Sequence, residues 1–201
     1  MQRRHFLQLL VSTAIASHLT GATASESALP AAGEPSQSPL PWRNWSGSQT
    51  CLPENRIAPA NIDELRHLLQ NSDHAGTTIR PVGSGHSFSA LVPTDGILVS
   101  LARMTGVLSH DDQQCQARIA AGTLLGQVGR PLDAINQALF NMPDIDQQAL
   151  GGLLATATHG TGAGLMSLSG YVEALTLMTA GGELLECSRH QHPEIFHAAR
   201  V

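Results

Sequence analysis

The chain has 201 residues, 42% of them hydrophobic and 13% charged, which suits a folded domain with one core and is too short for two full domains. A formal charge of −5 and an isoelectric point near 6.0 leave no basic face, excluding nucleic acid and anionic membrane surfaces and favouring a small neutral or weakly charged ligand. All 11 basic residues are arginine, so Schiff-base, lysine general-base and Walker-type chemistry have no lysine to act through.

Met1 to Gln8 sets Arg3 and Arg4 directly before an apolar run reaching about Ala16, and Ala22-Thr23-Ala24 follows as an A-x-A cleavage signal. This order reads as a twin-arginine export signal over 1–24 and implies a periplasmic or secreted protein. The run is shorter than the ~20 residues a membrane span needs. The twin-arginine route resembles one that moves folded proteins, so a cofactor can be inserted before export. Residues 25–41 place Pro30, Pro35, Pro39 and Pro41 among Ser, Ala and Gly, the composition of an extended linker. The body of the domain is then 42–201.

Asn61 suits an N-cap, and Ile62, Leu65, Leu68 and Leu69 repeat at helical spacing, so a helix is expected over 61–71. Thr77 to Val82 and Gly96 to Leu101 read as strands. Thr123 opens a helical pattern through Leu124, Leu125, Val128, Leu132, Ile135 and Leu139, with Pro131 bending or interrupting it. Val172–Ala180, the Gly181-Gly182 turn and Glu183–Ser188 form an expected β-hairpin, and Pro193 opens a helix to Arg200. Helices and strands interleave, which gives an α/β or α+β layer architecture. Cys51, Cys115 and Cys187 lack C-x-x-C spacing, which argues against a zinc or dithiol site. They read as small buried hydrophobes, with one disulfide as the alternative in the periplasm.

Two glycine-rich stretches carry the chemistry. The first is Arg80-Pro81-Val82-Gly83-Ser84-Gly85-His86-Ser87-Phe88-Ser89. Its glycines let backbone amides approach a diphosphate, but it is not the G-x-G-x-x-G that opens a Rossmann helix. His86 at its exit is either a hydrogen-bonded turn residue or a nucleophile facing the ligand. The second runs from Asp144 to Gly162, with four glycines and three threonines. It is either a small-residue packing interface or a surface for a planar heterocycle and its phosphates.

Asn44-Trp45-Ser46-Gly47, Pro81 to Ser89, Asn141-Met142-Pro143-Asp144-Ile145-Asp146 and Ala155-Thr156-Ala157-Thr158-His159-Gly160-Thr161-Gly162 occur in one chain and in this order. Together they resemble the aldonolactone and alditol oxidases of the vanillyl-alcohol-oxidase/p-cresol-methylhydroxylase (PCMH-type) flavoproteins, over about residues 42 to 201. The resemblance implies an α+β FAD-binding domain of two α/β subdomains, with the C-terminal substrate domain absent from this stretch. It implies FAD bonded through its 8α carbon to His86, with Pro81, Val82, Gly83, Ser84, Gly85 and Ser87 around the diphosphate. Asp144, Ala149, Gly152, Ala155, Thr156, Ala157 and Thr158 match positions along the adenosine, diphosphate and ring edge. His159 belongs to the same motif, in a cofactor-binding or a structural role. At Ala149-Leu150 the sequence departs from the family pattern, so a backbone contact is expected there rather than a side-chain one.

The implied activity is oxidation of a CH–OH group of a sugar lactone or polyol. Hydride passes to flavin N5, and oxygen reoxidises the flavin to give hydrogen peroxide. No catalytic residue and no metal is assigned within this stretch. The alternatives are a non-catalytic flavin-binding fragment and a dehydrogenase that uses a dye or cytochrome acceptor.

Overall fold

The computed structural model describes residues 40–200, all within the compact unit 38–201. The expected signal segment, and the linker up to residue 39, lie outside the described residues.

The chain enters through a short antiparallel pair, β1 (Trp42–Arg43) and β2 (Thr50–Cys51), followed by β3 (Asn55–Ile57). The first helix, α1 (Ile62–Ala75), is capped reciprocally. The Asn61 side-chain oxygen accepts the Glu64 N–H at 2.8 Å, and the Glu64 carboxylate accepts the Ala60 N–H at 2.8 Å. The helix runs past the expected end at 71, because its last turn is polar and carries no apolar repeat. Gly76 stops it at φ +66°.

β4 (Ile79–Val82) and β5 (Ile97–Ser100) complete a parallel sheet in the order β3-β5-β4. Parallel strands require long crossovers. One is α1; the other, between β4 and β5, contains the first glycine-rich stretch. That stretch therefore leaves from the carboxyl end of β4, the end at which open parallel sheets bind ligands.

A second antiparallel hairpin, β6 (Val107–Asp111) with β7 (Gln116–Ile119), was not expected from sequence. Its strands are mostly exposed and polar, so they lack the apolar alternation that marks a strand.

The continuous helix expected from Thr123 to Leu139 does not form. The chain makes a 3₁₀ turn at Leu125–Gln127, then the short helix α2 (Gly129–Asp133), and ends at Asn136 with φ +54°. Pro131 explains the break. A helix running through it would lose the bond to the residue 127 carbonyl and clash with it, whereas in the first turn of a helix begun at Gly129 the missing N–H is not needed. Thr123 is no cap: its hydroxyl donates to the Ala120 carbonyl (2.7 Å) and accepts the Gly106 N–H (2.9 Å). The periodicity still marks the inner face, since Leu125, Val128 and Leu132 are all buried.

α3 (Leu150–Leu154) is a helical turn inside the second glycine-rich stretch. Its Leu153 joins Leu125 and Leu168 in a buried cluster flanked by Leu139, Leu150 and Leu154. The expected hairpin is present as β8 (Ala174–Met178) and β9 (Leu184–Ser188), antiparallel across Gly181-Gly182. α4 (Pro193–Ala199) opens on Pro193 as anticipated, packs on β9 and buries Phe196 completely. Mixed strands and helices of this kind make an α+β fold. Among the cysteines, all three free, Cys187 is buried, Cys51 is half-buried and Cys115 is exposed.

Candidate functional site

The two glycine-rich stretches meet. A cleft of about 310 Å³ is lined by Trp45, His86, Phe88, Pro143, Asp144, Ile145, Gln148 and His159, within the size range of ligand pockets. Below it the stretches touch directly, since a Cβ at Gly83 would lie 3.2 Å from the Ala149 Cβ. Ala149 is buried and bridges Leu124. The Leu125 N–H donates to the Gln148 carbonyl at 2.9 Å, which fixes the segment entering α3.

The first stretch leaves β4 and turns at Gly85, whose φ of +70° only glycine adopts without strain. Among the described residues, the amides of Ser84, Gly85, His86 and Ser87 donate to no protein acceptor. Successive free amides around a left-handed residue form the concavity that accepts phosphate oxygens. His86 is half-buried, and neither of its ring nitrogens has a hydrogen-bond partner among the described residues. Its ring stacks on Trp45, with centroids 5.4 Å apart and planes at 26°.

The opposite wall is held by a close backbone approach: a Cβ at Gly160 would sit on the Met142 carbonyl oxygen. Glycine there lets the 159–162 segment press against 141–143, so Pro143 and Asp144 stand beside His159. The His159 Nδ1–H donates to the Gly160 carbonyl at 2.8 Å, which leaves Nε2 as an acceptor. Gln148 donates to the Thr158 hydroxyl at 3.2 Å, and the Thr156 hydroxyl donates to the Gly152 carbonyl at 3.1 Å. Asp144 has no ion-pair partner among the described residues. Its carboxylate suits hydroxyl or amino donors and would repel a phosphate.

Of the residues singled out in the sequence, His86, Asp144 and His159 line the cleft, while Gly83 and Ala149 form the contact beneath it. Gly152, Ala155, Thr156 and Ala157 are exposed and lie outside its lining. Gly152 is informative nonetheless. It sits inside α3, where glycine is about 0.5–1 kcal/mol worse than alanine, yet nothing lies within 4 Å of where its Cβ would be. The protein's own packing gives no reason for glycine there, and the α3 backbone is open on that side. Gln148, a polar residue with no signal of its own in the sequence, also lines the cleft, as do Trp45, Phe88, Pro143 and Ile145, which are not among the sequence-predicted site residues. For these last four a signal was present, apolar side chains in segments with no element to bury them: Trp45 and Phe88 are 67% and 66% exposed.

A family model described as an FAD binding domain matches residues 53–188. L-gulonolactone oxidase of Bos taurus is 36% identical over 160 residues, covering 80% of this chain and 36% of that protein. L-gulono-1,4-lactone dehydrogenase of Mycobacterium tuberculosis is 37% identical over 160 residues, 80% of this chain and 37% of that protein. D-arabinono-1,4-lactone oxidase of Eremothecium gossypii is 37% identical over 166 residues, 80% of this chain and 31% of that protein. The chain thus spans about a third of the length of the curated relatives it matches. Among solved structures, 6-hydroxy-D-nicotine oxidase of Arthrobacter nicotinovorans superposes with a TM-score of 0.62 at 22% identity, over 74% of this chain and 33% of that one, which establishes a shared fold.

Proposed function

The chain belongs to the FAD binding domain family of the PCMH-type flavoproteins, and on that premise we propose that it is the FAD-binding part of an oxidoreductase acting on the CH–OH group of a sugar lactone or polyol, with the flavin covalently attached through His86. The observation that carries this reading is a cleft in which His86, with neither ring nitrogen hydrogen-bonded among the described residues, stands with Asp144, Gln148 and His159 of the second glycine-rich stretch. When bound, FAD supplies a two-electron acceptor for hydride from the substrate carbon, and oxygen or another acceptor takes the electrons onward.

The chain's own residues fit that group. The free amides from Ser84 to Ser87 suit the diphosphate, and Pro81 and Val82 hold the loop at the end of β4. Asp144, in the cleft lining, would accept from hydroxyl or amino groups of the cofactor. Ala149, Gly152 and Ala155 to Thr158 offer small side chains and backbone along its length, and His159 offers an acceptor at the cleft wall. His86, with a free nitrogen lone pair, is the nucleophile for attachment. The Arg3-Arg4 signal extends the proposal to export of the folded, loaded protein.

Purified protein incubated with FAD is expected to be yellow and to keep its fluorescence in a denaturing gel after acid treatment. Colourless protein overturns the flavin reading. The substrate assignment is read on a polypeptide of the relatives' length, as peroxide release from a panel of lactones and alditols. Because one relative is named a dehydrogenase, the panel is run with dye acceptors too. Turnover with dyes but not oxygen assigns the dehydrogenase form, and none with either overturns the enzyme reading.

A further inference from the structure

We infer that Trp45 is a positioning residue for His86, setting the ring's orientation for attachment of the flavin; this rests on the reading of His86 as the attachment point. The Asn44-Trp45 pair lies between β1 and β2, far from position 86 in sequence, yet it grips the main chain on both sides of His86. The Trp45 N–H donates to the Gly85 carbonyl at 2.8 Å, and the Asn44 side-chain amide donates to the Ser87 carbonyl at 3.0 Å. Asn44 is only 4% exposed, and its own oxygen accepts the Gln49 N–H at 3.0 Å, so the grip has a fixed base.

What remains free is the imidazole itself. With no hydrogen bond at either nitrogen, its outer torsion is broad, and the Trp45 indole is the one aromatic ring stacked on it among the described residues. A ring held over a flat face presents its edge nitrogens in a fixed plane, and held geometry is what speeds bond formation between neighbours. Attachment takes one hydrogen from the 8α methyl and the hydrogen of the imidazole nitrogen and forms the N–C bond. The two electrons left on the flavin pass to dioxygen, giving hydrogen peroxide.

The test follows acid-stable flavin over time on the apo chain at saturating FAD, in wild type, Trp45→Ala, Trp45→Leu, Trp45→Phe and His86→Ala. Loss of a stack of this kind slows attachment roughly three- to tenfold. We expect this in the Ala and Leu variants, near wild-type rates in Trp45→Phe, and no attachment in His86→Ala. Because Trp45 is 67% exposed, truncation removes no core, and the Leu variant keeps the bulk if the Ala variant folds poorly. Because Trp45 also lines the cleft, FAD affinity is measured in the His86→Ala background, with and without Trp45→Ala, and every attachment rate is compared at the saturation those affinities set. Wild-type rates in both truncated variants overturn the inference alone, as does a Phe variant as slow as they are. A rate defect that higher FAD removes also overturns it, by making Trp45 a ligand contact. Acid-stable flavin on His86→Ala, or none on wild type, overturns the attachment reading itself.

Discussion

Gly152→Ala separates the demands of the fold from those of the cofactor. In the protein alone the new methyl meets nothing within 4 Å, and Gly152 is not among the residues with positive φ. The substitution therefore adds no clash and removes the conformational freedom glycine gives the unfolded chain. The apo chain should gain about 0.5–1 kcal/mol, read as a higher urea midpoint at unchanged slope. If FAD lies against the α3 backbone, the same methyl occupies its space, and affinity should fall at least about tenfold, a loss of roughly 1.4 kcal/mol. Urea titration of the apo chain and fluorescence titration with FAD read the two effects separately. A less stable apo chain would refute the packing argument, and unchanged FAD affinity would refute the placement of the cofactor against α3.

Gly160→Ala should behave in the opposite way. Its methyl meets a backbone carbonyl that cannot swing aside, so the apo chain should lose about 1–3 kcal/mol, measured by urea midpoint, and the cleft wall should shift with it. At the surface, the Thr176 hydroxyl and the Arg118 guanidinium hold the Glu186 carboxyl below its ordinary value. A depressed folded-state value gives stability that is present above the unfolded value, about 4.3, and is lost as pH falls through the folded one. The group is nearly half exposed, so Glu186→Gln should cost at most about 1 kcal/mol at pH 7 and flatten the acid limb of the stability curve. Replacing Arg3 and Arg4 by lysine should retain the protein in the cytoplasm, as cell fractionation would show; export at the wild-type level would reject the twin-arginine reading.

Much of the fold was legible where one residue dictates the backbone. Pro193 opens α4, Gly181-Gly182 closes the β8–β9 hairpin, and Asn61 with Glu64 starts α1. The errors came where two signals compete. The apolar repeat from Leu124 to Leu139 marks a buried face correctly, but Pro131 forces the chain to restart. Gly151-Gly152 reads as loop, although tertiary packing of Leu153 folds it into α3. The β6–β7 hairpin left no trace because its side chains face water. In the site, the meeting of His86 with Asp144 and His159 was foreshadowed by two glycine-rich stretches in one chain. The Trp45 stack was not, because it depends on how β1 and β2 fold across the exit of β4, and no local pattern encodes that.

The most direct measurement is mass spectrometry of the FAD-loaded protein after trypsin digestion. With Arg80 followed by proline, the peptide from His67 to Arg103 should carry the mass of the flavin, with fragmentation placing it on His86. That peptide unmodified from a yellow preparation, or flavin on any other residue, contradicts the account.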